Sequence, residues 1–250
     1  MDIKPAPSRR THLLDVPVDG FTQEDLPAIV DKLRSNGERN HIVLLSTRDL
    51  LRARRKRRYR KALQEAALVV PISLGIQRSA KFLEKASVEA QTTFRFIIRL
   101  LALLEERSAT YYLLGLRRKH LLRVEENLRQ TFPGLGLVGR HPGYYSQERE
   151  TDIVTAIRKA APTLVLVGSG INGGNIWLRT NKRSFAPGIY IWVPEVLEIF
   201  ADVRKKPPAT RAGRIARRTR VLMTHPWRVG RAFVYVWFGI LTLGYRLFER

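Results

Sequence analysis

Short runs of Leu, Val and Ile recur along the chain, each followed by a segment with helical spacing. This alternation limits the fold more than any other feature of the sequence. "HIVLLS" (His41–Ser46), "ALVVPIS", "ATYYLL", "LGLVG" and "TLVLV" are apolar on both alternating faces, as strands buried in a parallel sheet are. Between them stand "TRDLLRARRKRRYRKALQEA", which holds Leu50, Leu51, Ala62 and Leu63 at helix-compatible spacing, then "LGIQRSAKFLEKA", "TTFRFIIRLLALLEER", "LRRKHLLRVEENLRQTF" and "ETDIVTAIRKAA". Strands alternating with helices of about 10–15 residues predict a parallel sheet covered on both faces. The expected fold is therefore α/β, a Rossmann-like parallel sheet flanked by helices, with its ligand beyond the carboxyl ends of the strands. The first 40 or so residues read as polar and turn-rich, with one short helix in "DGFTQEDLPAIVDKLRS".

After Phe200 the composition changes. "ADVRKKPPATRAGRIARRTRVLMTHPWRVGR" is basic and "AFVYVWFGILTLGYRLFER" is aromatic and apolar, so the spacing predicts an α/β domain over 1–205 and a basic, partly helical appendage over 206–250. The formal net charge of +23 points to an anionic partner. Arginine beside aromatic residues suits an interfacial helix on an anionic leaflet, with Arg217, Arg218, Phe233, Trp237 and Phe238 as membrane contacts. The alternative is a tail helix packed on the core or on a second subunit in a homo-oligomer. No run reaches the roughly 18–20 apolar residues needed to span a bilayer, and the N-terminus shows no apolar signal core. The chain has no cysteine, and its five histidines are scattered without ligand spacing, so no metal site is expected.

"LVLVGSGINGGNIWL" contains Gly168, Gly170 and Gly173 in the spacing G-x-G-x-x-G, with Glu195 about 20 residues beyond. A dinucleotide loop normally opens the first βαβ unit, whereas this one lies two-thirds along the chain and precedes a weak helix. No nicotinamide or flavin cofactor is expected. The charge run "RARRKRRYRK" (Arg52–Lys61) has a single aromatic, Tyr59, and no nucleic-acid-binding motif. It reads as the solvated or lipid-facing side of a helix, and nucleic acid is not the expected partner.

The order "TFPGLGLVGRHPGYY", "LVLVGSG", "RKKPP", "RVLMTHPWRVGR" over roughly residues 40 to 232 resembles the WecG/TagA/CpsF glycosyltransferases. The resemblance implies transfer of N-acetylmannosamine or a related sugar from a UDP-sugar to a lipid-linked acceptor, by a peripheral protein at the cytoplasmic face of the cell membrane. It implies that Arg228 and Arg231, and Arg220 before them, hold the nucleotide diphosphate. Guanidinium forks suit that task because they give bidentate, charge-assisted bonds. Ser46, Gly168, Gly170 and Asn172 would line the rest of the donor site.

Four polar positions depart from the resembling pattern. Ser46 stands for an Asn, with Leu44 for a nearby Thr. Ile72, in "PISLG", stands for the Asp favoured as catalytic base. Thr93-Phe94-Arg95 replaces a Gly-x-Asp element. Asn172-Gly173-Gly174-Asn175 replaces Pro-Lys-Gln-Glu. Inverting sugar transfer needs a base for the acceptor's proton, and an isoleucine cannot serve. Asp49, Glu198 and the loop histidine His141 are the replacement candidates. The alternative is a catalytically degenerate member acting as a regulatory or scaffolding protein at the membrane.

Overall fold

The structure is a computed structural model and describes residues 9–84 and 92–206. It opens with an antiparallel hairpin, β1 (Arg9–Leu13) and β2 (Val16–Gly20), followed by α1 (Leu26–Ser35) and β3 (Arg39–Leu45). Two consecutive helices, α2 (Thr47–Arg55) and α3 (Arg57–Gln64), lead to β4 (Leu68–Pro71). Next come α4 (Leu74–Glu84), α5 (Thr93–Glu105), β5 (Thr110–Leu114) and α6 (Arg118–Thr131). The described chain then runs through β6 (Gly136–His141), α7 (Glu150–Ala160), β7 (Leu164–Val167), α8 (Gly174–Asn181), β8 (Gly188–Trp192) and α9 (Pro194–Phe200).

Six strands form one sheet in the order β4-β3-β8-β7-β5-β6, every pair parallel. The predicted Rossmann-like α/β fold is what the chain adopts. Strand alternation sorts the core. Ile42, Leu44, Leu113, Leu166 and Ile191 face a layer built from α1, α5, α6 and α9. Val43, Leu45 and Val69 face the hairpin, α2 and α3, while Leu114, Val165, Val167 and Tyr190 face α7 and α8 on that same second side. Burial on both sides explains why these strands read as unbroken apolar runs.

Three elements differ from the sequence expectation. The polar start of the chain contains the β1–β2 hairpin, whose two-residue turn puts Leu14 (φ 52°) and Asp15 (φ 62°) in the left-handed region. Buried Asp19 docks this hairpin on the sheet edge: its Oδ2 accepts from the Val69 amide at 2.7 Å, and Arg10 binds both its oxygens at 2.8 Å. An edge strand otherwise leaves such amides open, so the carboxylate blunts β4.

The segment expected as a single helix after β3 breaks at Lys56 (φ −120°, ψ 99°). At about 100° per residue, an unbroken helix would turn Tyr59 and Leu63 some 130° away from Leu50 and Ala53. The extended residue resets the phase, and all four side chains enter one core. Finally, "GIYIW" supplies β8, a central strand not anticipated from its five residues.

Candidate active site

The loops that end the strands meet at the carboxyl edge of the sheet. Helices α2 and α8 leave β3 and β7 toward the second face, whereas α9 leaves β8, which lies between them, toward the first. Adjacent strands whose helices depart to opposite faces open a crevice, the usual ligand position in such sheets. Ser46 and Asp49 stand after β3, Gly168, Gly170 and Asn172 after β7, and Glu198 on the helix that follows β8.

Close backbone packing builds the β5, β6 and β7 part of the rim. Leu116 donates its amide to the Ser169 carbonyl at 2.6 Å, and Tyr144 donates to the Gly170 carbonyl at 3.0 Å. A Cβ on Gly115 (φ +122°) would lie 2.8 Å from the Gly168 backbone, so the approach of these two loops requires glycine. In the loop after β7, Gly173 (φ 69°) opens α8 without a side-chain cap, and Asn172 is exposed. The G-x-G-x-x-G spacing thus reflects loop-to-loop contact and a tight helix start. Glu195 pairs with Arg204 at 3.3 Å and is exposed in the first turn of α9.

The β3 side of the rim is a directional chain of hydrogen bonds. Ser46 caps α2, and Ser46 and Asp49 form a reciprocal capping box. Ser46 Oγ donates to Asp49 Oδ2 at 2.5 Å, and Tyr59 Oη donates to Asp49 Oδ1 at 2.9 Å. Asn175 Nδ2 donates to Tyr59 Oη at 3.4 Å, and Asn175 Oδ1 accepts from His41 Nε2 at 3.2 Å. The amide oxygen can only accept, so His41 carries its proton on Nε2. Each donor from His41 onward points toward the Asp49 carboxylate, and such chains polarise one another. Burial pushes the His41 imidazole down to about 4, with the Asn175 hydrogen bond opposing and the Lys182 charge assisting. Burial foremost, then the Asp49 charge, pushes the Tyr59 phenol well above its ordinary value. Both groups are neutral in the folded protein near pH 7.

This network was not anticipated from the sequence. The Ser-x-x-Asp spacing at the start of α2 marks a capping box, but His41 and Asn175 lie 134 positions apart and no spacing rule joins them. Asp49 therefore has both oxygens engaged. Glu198, half-buried, has Arg204 at 3.5 Å. Ile72 is packed on the first-face core at the end of β4, beside a second polar pair, Thr47 Oγ1 and Ser73 Oγ at 2.7 Å. His141 Nδ1 lies 2.7 Å from the Pro142 carbonyl and the ring meets Tyr145 edge-on at 5.8 Å, an arrangement that fixes the loop after β6. Phe94 of the replaced Gly-x-Asp element packs on Phe200, with ring centres 6.3 Å apart.

Among the described residues no cluster of three or more His, Asp or Glu side chains is arranged to hold a metal ion, and no helix is long and apolar enough to cross a membrane. A surface hollow of about 470 Å³ lies between the first half of α6 and residues 201–203. Arg217, Arg218, Arg220, Arg228, Arg231, Phe233, Trp237 and Phe238 lie outside the described residues.

The strand order and the helices on both faces define an α/β protein of Rossmann-like type. The Glycosyl transferase WecG/TagA/CpsF family profile matches residues 11–250, and the chain belongs to this family. Among curated relatives, the N-acetylglucosaminyldiphosphoundecaprenol N-acetyl-beta-D-mannosaminyltransferase of Staphylococcus aureus (strain NCTC 8325 / PS 47) is 20% identical over 201 residues, 80% of this chain and 78% of the relative. The protein of the same name from Bacillus spizizenii (strain ATCC 23059 / NRRL B-14472 / W23) is 19% identical over 152 residues, 61% of this chain and 58% of the relative.

Proposed function

We propose that this protein is a peripheral membrane glycosyltransferase that moves an N-acetylhexosamine-type sugar from a UDP-sugar to a lipid-linked acceptor in surface polysaccharide synthesis, at the cytoplasmic face of the membrane. One observation carries the reading: the family match runs from residue 11 to residue 250, through both the sheet and the basic tail. The relatives' name supports the lipid diphosphate acceptor and the N-acetylmannosamine-type sugar.

In this reading residues 1–205 form the transferase domain and 206–250 the membrane-associating appendage. Ser46, Gly168, Gly170 and Asn172 form the donor rim, at the carboxyl ends of β3 and β7. Arg220, Arg228 and Arg231 hold the leaving diphosphate and stabilise the charge that develops on it. The base is Asp49 or Glu198. For Asp49 to act, Ser46 or Tyr59 must release its hydrogen bond, whereas Glu198 needs only to leave Arg204. Calorimetric titration with UDP-sugars, followed by a transfer assay, tests the reading. Binding weakened by Arg228→Ala and Arg231→Ala is the expected result, and no binding to any UDP-sugar overturns both donor use and the arginine roles.

A second reading has its own support. Ile72 offers no titratable group where the resembling family has its favoured base, and the Asn175 amide is locked between His41 and Tyr59 where that family has Glu. A member that keeps the fold and the membrane tail but not catalysis, serving as a regulator or scaffold, fits these changes. Turnover abolished by Asp49→Asn or Glu198→Gln rejects the degenerate reading. Absence of turnover with every UDP-sugar that binds favours it.

A further inference from the structure

The second-face helices carry a charge pattern that the transfer chemistry does not use. Between Arg48 and Lys61 nine of the fourteen residues are Arg or Lys, and Asp49 is the one acid. Asp49 faces inward, its oxygens held by Ser46 and Tyr59. The break at Lys56 lets α2 and α3 bury separate apolar faces in one core, so Arg48, Arg52 and Arg55 form an exposed stripe on α2 and Arg57, Arg58 and Lys61 continue it on α3. Among the described residues none of these nine cations takes part in an ion pair. Elsewhere arginines do find carboxylates: Arg107 with Asp31, Arg123 with Glu126 and Asp202, Arg179 with Glu65. Lys61 has the Glu65 carboxylate one turn away, and the rest of the stripe is a surface of concentrated positive charge without ion pairs that begins at the active-site rim.

We infer that the exposed face of α2–α3 docks on the anionic headgroups of a lipid bilayer, as a contact separate from the C-terminal appendage. The inference extends the proposed membrane-level function, because it would hold the β3 end of the crevice against the surface that carries a lipid-linked acceptor. Polybasic faces bind anionic leaflets without apolar insertion, each Lys or Arg near the surface contributing about fivefold in affinity. A single-stranded nucleic acid would instead want exposed aromatic platforms for its bases. The one aromatic in the stretch, Tyr59, is 2% exposed, and Arg52 lies over its ring at 4.7 Å.

The full-length chain bearing Arg54→Gln, Arg55→Gln, Arg57→Gln and Arg58→Gln tests this in co-sedimentation with phosphatidylglycerol–phosphatidylcholine vesicles. All four side chains are exposed, so circular dichroism and the melting temperature should match those of the parent. The expected result is a loss of vesicle affinity of at least ~30-fold, and no binding of either protein to pure phosphatidylcholine. Because the chain lacks cysteine, a fluorophore can be placed at Arg55→Cys or, on the opposite layer, at exposed Gln130→Cys. A lipid-borne quencher should dim the first label and spare the second. Affinity within threefold of the parent, or equal quenching at the two positions, overturns the inference. So does tighter binding to a single-stranded RNA oligomer than to the vesicles, with loss of RNA binding in the fourfold variant. The tail is read separately through Arg217→Glu, Arg218→Glu and Arg220→Glu, and sugar transfer through turnover, so failure of the transferase reading leaves the vesicle result standing.

Discussion

His41 Nε2 donates to Asn175 Oδ1 at 3.2 Å inside the protein, joining the strand β3 to the helix that follows β7. Only the neutral imidazole is accommodated at this 3%-exposed position, and burial holds it at about 4. In the unfolded chain the same group titrates near 6.5. Between these values the unfolded state takes up a proton that the folded state refuses, so stability is full above about pH 6.5 and falls as the pH drops. By pH 4 the loss amounts to about 3 kcal/mol. His41→Gln, which keeps an amide donor without a titration, should remove about one proton from the pH slope of unfolding between pH 4 and 6.5. Urea denaturation across that range checks it, and an unchanged slope would show that His41 is not the group responsible.

Tyr59 links the interior to the rim. Tyr59→Phe removes the hydroxyl that serves Asp49 and Asn175 while leaving the ring in its core. A hydrogen bond to a charged group of this kind is worth about 2 kcal/mol. Because Asp49 receives that bond, the cost of Tyr59→Phe should shrink by about 1 kcal/mol in an Asp49→Asn background. A double-mutant cycle by chemical denaturation measures the coupling.

The hairpin is held through one carboxylate. Asp19→Ala leaves the Val69 amide without its acceptor and Arg10 without its bidentate partner, and should cost about 3 kcal/mol. Hydrogen exchange at Val69 should accelerate in the same variant. Exchange unchanged at Val69 would mean that the hairpin docks by its apolar face alone.

Two glycines with positive φ should respond differently to alanine. A Cβ at Gly37 (φ +66°) meets nothing within 4 Å, so Gly37→Ala should cost only the backbone penalty of about 1–2 kcal/mol. Gly115→Ala adds a collision with the Gly168 backbone, where neither loop has a flexible end to yield, and should cost about 2 kcal/mol more. Thermal unfolding of the pair under one buffer compares them directly.

The sheet was legible wherever both of a strand's faces are buried, because β3, β4, β5 and β7 then show continuous apolar runs. β1 and β2 were hidden by Arg10, Thr11, His12 and Asp19, and the partners of Arg10, Thr11 and Asp19 lie across the hairpin or at β4. Their turn, Leu14-Asp15, carries none of the Gly or Asn signals that a left-handed pair usually needs. The break at Lys56 has neither Gly nor Pro to announce it. It follows from the need of two helices to share one core, which is a tertiary demand. At the site, Ser46 and Gly168 could be assigned to strand ends from local pattern. The roles of Tyr59 and Asn175 depend on β3 and β7 flanking β8, and no local pattern encodes that adjacency.

The strand order has a consequence for how the chain is made. β7 and β8, the inner strands that join β5 to β3, are the last two strands in the described chain. Until residues 188–192 have been made, β4–β3 and β7–β5–β6 lack the strand that joins them, and β3 and β7 each face its place with unpaired backbone N–H and C=O groups. The edge formed by the β3, β8 and β7 tips is complete only with residues 188–192 in place between β3 and β7. A nascent chain stalled before Gly188 would thus offer other proteins two unsatisfied strand edges.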